Sequence, residues 1–260
     1  MLYEAYSQIK RKLKNVQTPE IKKTIPTVFK SDITEKIAFL KQNYEPWESV
    51  KKYWSETHLY RMQDILSNKD KDFTISKYFE TYPILKSQKG YILLCKDFEI
   101  LHENNQCSNK LFAKWDEVNK NIINYSKTKH MKVFESVKDS RVLTEKIDSR
   151  RKLCAEKKET LQPFIAFIGD TFASIQNAYV IIDNIIYKLD NPISAIDVCF
   201  KCFSALHAKF PQHCFPVWQF IQLYIYEIQT EFDKKFTTLN SLITDLDQLC
   251  STTVKTSGSS

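Results

Sequence analysis

With 260 residues, 43% of them apolar, and a mean hydropathy of −0.39, the chain has the composition of a globular protein of one large or two modest domains, with no apolar run long enough to span a bilayer. The net charge of +7 comes from the first part: residues 1–160 carry 32 basic and 22 acidic side chains, residues 161–260 only 6 and 9. Three glycines exclude nucleotide-binding sites built on Gly-rich loops, which need several glycines together so that backbone can approach phosphate.

Seven cysteines without framework spacing fit a reducing compartment. The opening stretch MLYEAYSQIKRKLKN carries Glu4 and has no apolar core, so it reads as neither secretory signal nor transit peptide. The expected location is intracellular, cytoplasmic or nuclear. Residues 1–45 form a basic N-terminal segment and linker, with a short amphipathic stretch from Tyr3 to Val16, prolines at 19 and 26, and Ser31 or Asp32 as cap of a helix through Leu40.

Residues 46–160 read as a charged helical region. Pro46 fits a first helical turn, and Trp47, Val50, Trp54, His58, Arg61 and Ile65 recur at helical spacing to about Ser67. A short helix follows from Phe73 to Leu85, then further helices marked by Tyr91, Leu94, Phe98 and Leu101, and by Leu111, Trp115, Val118, Ile122 and Tyr125. From Lys132 to Thr160 a charged, coiled-coil-like helix has only a narrow apolar stripe of Val133, Phe134, Val137, Val142, Ile147 and Leu153. Such a helix projects from a core or lies on one partner.

Residues 161–250 are the apolar core region. Tyr179–Ile182 and Ile185–Leu189 flank Asp183-Asn184, a two-residue hairpin turn, and Phe164–Ile168 adds a third strand. Asn191 and Pro192 then supply a cap and first helical residue for a helix to about Phe210. Pro216 opens a second helix and a third runs to about Cys250, leaving 251–260 as a disordered tail. The expected fold is therefore mainly α, a helical bundle with a small β-hairpin or three-stranded sheet near residues 164–189.

The stretch CFKCFSALHAKFPQHC concentrates the potential metal ligands: Cys199, Cys202, His207, His213 and Cys214 approach a zinc-knuckle spacing. Projected on a helix, Ile196, Cys199, Phe200, Phe203, Leu206, His207 and Phe210 share one face, with Cys202 at its edge. His207 lies about 7.5 Å beyond Cys202 along such a helix, too far to share a tetrahedral ion. The thiols are therefore expected to be buried hydrophobes; the metal alternative rests on Cys199 and Cys202 alone, and no cofactor is expected.

Lys146, Arg150, Arg151, Lys152, Lys157 and Lys158 are the candidate phosphate contacts if the protein binds nucleic acid. Glu145, Asp148, Glu156 and Glu159 dilute their field, and no aromatic interleaves for stacking on bases. Lys10 to Lys14 is a short basic run of low specificity. Trp47, Trp54 and Trp115, at helical spacing, are expected in the core. His58 near Glu56 and His102 beside Glu103 lack any metalloprotease spacing, and no nucleophile elbow occurs, so no catalytic residue is assigned and no enzyme is expected.

Two sets of residues resemble a known group. The first is Trp47, Trp54, Arg61, Tyr82-Pro83, Gly90-Tyr91, Asp97-Phe98 and Trp115; the second is YVIIDNIIYKLDNPISAIDVCFKCFSALHAKFPQHCFPVWQFIQ. Over roughly residues 45–230 they resemble the C-terminal region of uncharacterised animal proteins labelled sterile-alpha-motif-domain-containing. The resemblance implies a multidomain, mobile-element-derived interaction protein and favours a core role for Cys202 and His207. The chain itself shows neither a sterile-alpha-motif domain nor a zinc finger. The sequence thus leads to a non-enzymatic helical module for protein–protein contact or self-association, with nucleic-acid binding through the basic part as the alternative.

Overall fold

A computed structural model describes residues 27–67, 74–103, 108–126, 140–156, 161–169, 175–230 and 233–256. The fold is mainly α-helical with one small three-stranded antiparallel sheet. In chain order the elements are α1 (Thr27–Gln42), α2 (Trp47–Glu56), α3 (His58–Ser67), α4 (Ile75–Thr81), a 3₁₀ turn (Pro83–Lys86), α5 (Gly90–Leu101), α6 (Lys110–Ser126) and α7 (Ser140–Glu156). Then come β1 (Phe164–Ile168), β2 (Asn177–Ile182), β3 (Ile185–Leu189), α8 (Pro192–Ala205), α9 (Phe215–Phe220), a π-helical turn (Ile221–Ile225) and α10 (Thr237–Thr256).

These elements form two compact units built from interleaved segments: the described parts of 1–103 with 136–209, and those of 104–135 with 210–260. The units cut across the blocks that composition suggests. Polar texture marks solvent exposure, whereas a compact unit is defined by which apolar faces meet.

In the first unit the hairpin forms as expected. Asp183 takes the left-handed φ of 52° that a tight reversal requires, and the strands run in the order β1-β2-β3. Alternation then gives the sheet two apolar faces. One face, with Ala166, Ile168 and Ile181, packs on Leu143 and Ile147 of α7. Against the other lies α8, which is backed by α5.

Because α8 is enclosed from two sides, nearly its whole circumference is buried, not a single stripe. Asn191 caps it by accepting from the Ser194 N–H at 2.8 Å, with Pro192 in its first turn. It stops at Ala205, five residues before the expected Phe210. There His207 adopts φ 48°, its N–H donates to Ser204 C=O at 3.2 Å, and Ala208 N–H donates to Phe203 C=O at 2.9 Å. This is a Schellman ending with histidine in the position usually taken by glycine.

Three other expectations change. The helix over 46–67 is divided at Thr57, where φ −96° and ψ 2° depart from helical values although its N–H and its hydroxyl both donate back to Tyr53 C=O, at 3.0 and 2.7 Å. Ser31 and Asp32 lie inside α1, a full turn past its first residue, and Asp32 pairs with Lys36 one turn on, at 2.5 Å. At the other end α10 continues to Thr256, into the stretch expected to be a disordered tail. Tyr3–Val16, with the basic run 10–14, lies outside the described residues.

Gly90 begins α5 for a steric reason. A Cβ there would stand 2.2 Å from the Leu85 carbonyl oxygen, so the 3₁₀ turn can fold tightly onto α5 only without a side chain. The Tyr187 hydroxyl of β3 donates to that same carbonyl, which ties this turn to the sheet.

Candidate functional site

The buried polar groups of the first unit converge on one carboxylate. Trp54 on α2, and His58 and Arg61 on α3, follow one another at helical intervals and face inward. Asp97 sits on the inward stripe of α5 with Leu93, Leu94, Phe98 and Leu101. Arg61 and Asp97 are both 0% exposed.

Such a pair survives burial only if its valences are filled, and here they are. Asp97 Oδ1 accepts from Arg61 Nη2 at 2.8 Å and from His58 Nδ1 at 2.7 Å, which makes Nδ1 the protonated ring nitrogen. Oδ2 accepts from Arg61 Nη1 at 2.9 Å and from Trp54 Nε1 at 3.0 Å. Arg61 places its remaining hydrogens on Tyr78 Oη at 2.9 Å, Trp54 C=O at 2.6 Å and Thr57 Oγ1 at 3.2 Å. Its guanidinium carbon lies 3.5 Å from the centroid of the Trp54 ring, a stacked cation–π contact.

The electrostatics follow from this geometry. Burial pushes the Asp97 carboxyl up, but the Arg61 charge and the hydrogen bonds from Arg61 and His58 outweigh it and hold the group below its ordinary value. Burial opposes the Arg61 charge, and Asp97 reverses that effect and raises it. Burial also drives the Tyr82 hydroxyl up to about 12. All five guanidinium hydrogens and both carboxylate oxygens are spent within the fold, so the Arg61–Asp97 pair itself offers no free valence to a substrate. It is a structural hub.

The sequence-derived candidates fall into different places. Cys199 and Cys202 are fully buried in α8, between sheet and α5, and burial drives the Cys202 thiol well above its ordinary value. His207 is buried at the end of the same helix; Cys214 lies in a separate 3₁₀ turn, Gln212–Cys214, in the other unit. Among the described residues no three His, Cys, Asp or Glu side chains are grouped as metal ligands would be. Beside the thiols, Lys201 and Asp197 form a buried ion pair of 2.7 Å one helical turn apart.

Of the candidate phosphate contacts, Arg150 and Arg151 turn toward the sheet. The Arg150 guanidinium lies 4.6 Å from the centroid of the Phe164 ring, and Arg151 donates to the Asp183 carbonyl of the hairpin turn at 2.7 Å. Lys152 is exposed on α7, which also carries Lys146, while Lys157 and Lys158 lie outside the described residues. Trp54 is buried as expected, whereas Trp47 and Trp115 are half-buried.

Asp97 is the residue that spacing arguments passed over as a site. Its signal was present: an acid on an apolar helical stripe, and an arginine on another, each requiring a partner. No described helix is long and apolar enough to cross a membrane.

Compared with protein-family models, with curated proteins and with solved structures, the chain has no significant match.

Proposed function

We propose that the chain is a non-enzymatic helical module for protein–protein contact. The observation that carries this reading is the disposition of its side chains. The best-formed constellation of titratable groups, around Asp97, is consumed by the fold. Meanwhile Tyr44, Tyr60, Ile92 and Leu153 of the first unit stand at least 36% exposed, as do Phe112 and Val217 of the second. Exposed tyrosine and phenylalanine supply the contact area typical of recognition surfaces, with little conformational entropy to lose. The use of Arg150 and Arg151 within the fold weighs against a nucleic-acid face on α7.

The test is light scattering of the purified chain, combined with affinity capture and reconstitution of any captured partner from purified components. A stoichiometric complex weakened by Tyr60→Ser supports the reading. A strict monomer that forms no reconstituted complex overturns it.

A further inference from the structure

In an antiparallel ladder, alternate residues direct their N–H and C=O to opposite sides of the strand. The two-residue turn after Ile182 fixes the phase: Ile182 bonds with Ile185 and Val180 with Tyr187. Ile181 and Tyr179 then bond toward β1, meeting Phe164 and Ala166. The N–H and C=O of Ile165 and Phe167 are left pointing outward from β1, and those of Ile186 and Lys188 outward from β3.

The outer edge of β3 is occupied. Gln88 Nε2 donates to Ile186 C=O at 3.0 Å, and Lys188 N–H donates to Gln88 Oε1 at 3.3 Å. One side-chain amide thus stands in for a fourth strand. It selects the two residues that the phase assigns outward. No such amide serves β1: among the described residues, no hydrogen bond reaches the outward groups of Ile165 or Phe167. Nor does Phe164–Ile168 contain a charge or proline, the usual devices that blunt an edge.

We propose that the free edge of β1 is a self-association strand, pairing antiparallel with β1 of a second copy to join two sheets of three strands into one of six. This rests on the reading of the chain as an interaction module and names the partner as the chain itself. The choice of occupant follows from the strand. FIAFI has its smallest residue at the centre, and a two-fold axis at Ala166 sets Ile165 opposite Phe167 of the second copy as a hydrogen-bonded pair. Every outward donor then meets an outward acceptor. Ala166 faces Ala166 of the second copy in the closer, non-hydrogen-bonded spacing, where a small side chain fits best. Pro163, without an N–H, ends the pairing edge on one side. The uncharged strand sets no like charges opposite one another.

Sedimentation velocity of the full chain from about 1 µM to about 1 mM should reveal a reversible dimer. Hydrogen exchange at the Ile165 and Phe167 amides should slow at the high end of that range. Ile165→Pro removes an edge-directed N–H without touching the β2 ladder, and should weaken dimerisation about tenfold or more. A monomer throughout refutes the pairing, as does a dimer whose β1 amides exchange at an unchanged rate, or a folded I165P that dimerises normally. If I165P fails to fold, the exchange data on the unaltered chain decide. A monomer that forms a defined complex with a different protein refutes β1 pairing and leaves the module reading standing; a monomer without any partner removes both.

Discussion

Asp97 and Glu227 are both carboxylates held by cationic or ring nitrogens of side chains on other helices, yet they stand at opposite ends of the electrostatic scale. Asp97 lies in the first unit, fully buried, gripped by Arg61 and His58. Glu227 lies in the second, where it takes a left-handed φ of 57° just after the π-helical turn. There it meets Lys110 at 2.6 Å and Lys114, both from α6, with its own side chain 56% exposed. The lysines also donate to the Tyr226 and Tyr224 carbonyls, at 3.3 and 3.2 Å, so this clamp satisfies the open end of a helical turn. Similar contact distances give different energies, because water screens one site and is excluded from the other.

The sharpest way to break the comparison is Asp97→Asn, which leaves Arg61 buried without a counter-charge. Its expected cost is about 3–5 kcal/mol in urea unfolding. Replacing both partners, Arg61→Met with Asp97→Leu, should recover part of that loss, because the penalty comes from an unpaired charge and not from the absence of the pair. Equal destabilisation by the single and double variants would contradict the account.

A second test separates the units by pH. Half-buried against Phe98, at a ring distance of 4.7 Å, His102 has its pKa lowered by burial to about 4. An unfolded chain binds that proton near pH 6.5, so the stabilisation is complete above about 6.5 and is lost as pH falls toward 4. The loss should be about 1–3 kcal/mol, the ring being partly wet. Peptide-level hydrogen exchange should place it in the first unit, and His102→Phe should flatten it.

Glu227 titrates lower. Hydrogen bonds from Lys110 and Lys114 depress it to about 2, so its contribution is present above its ordinary range near 4.5 and fades between there and about 2. Glu227→Gln should cost about 1 kcal/mol or less, and high salt should erase most of the difference. A cost comparable to Asp97→Asn would mean that the clamp is shielded from solvent after all.

How much of this was legible depends on the range of the interaction. The hairpin at Asp183-Asn184 and the cap at Asn191-Pro192 are written in adjacent residues, because a turn or a cap is a local hydrogen-bonding problem. The end of α8 was less visible, since histidine at φ 48° carries no glycine signal. Arg61 and Asp97 each announced a need for a partner from an apolar stripe. Their pairing spans 36 positions and joins α3 to α5.

The narrow stripe of α7 shows the same division. Its sequence tells that one side must be covered; only the fold shows that the sheet covers Leu143 and Ile147 while Leu153 stays exposed. By itself, then, the sequence determined the helical periods, the strands and their turn, because these follow from backbone geometry and neighbouring side chains. The tertiary structure alone decided that Cys199 and Cys202 are enclosed from both sides, that Asp97 is spent on Arg61, and that Gln88 seals β3 while no described residue bonds the outer edge of β1. Those outcomes are set by which distant surfaces exclude water from one another, a property of packing that no local pattern encodes.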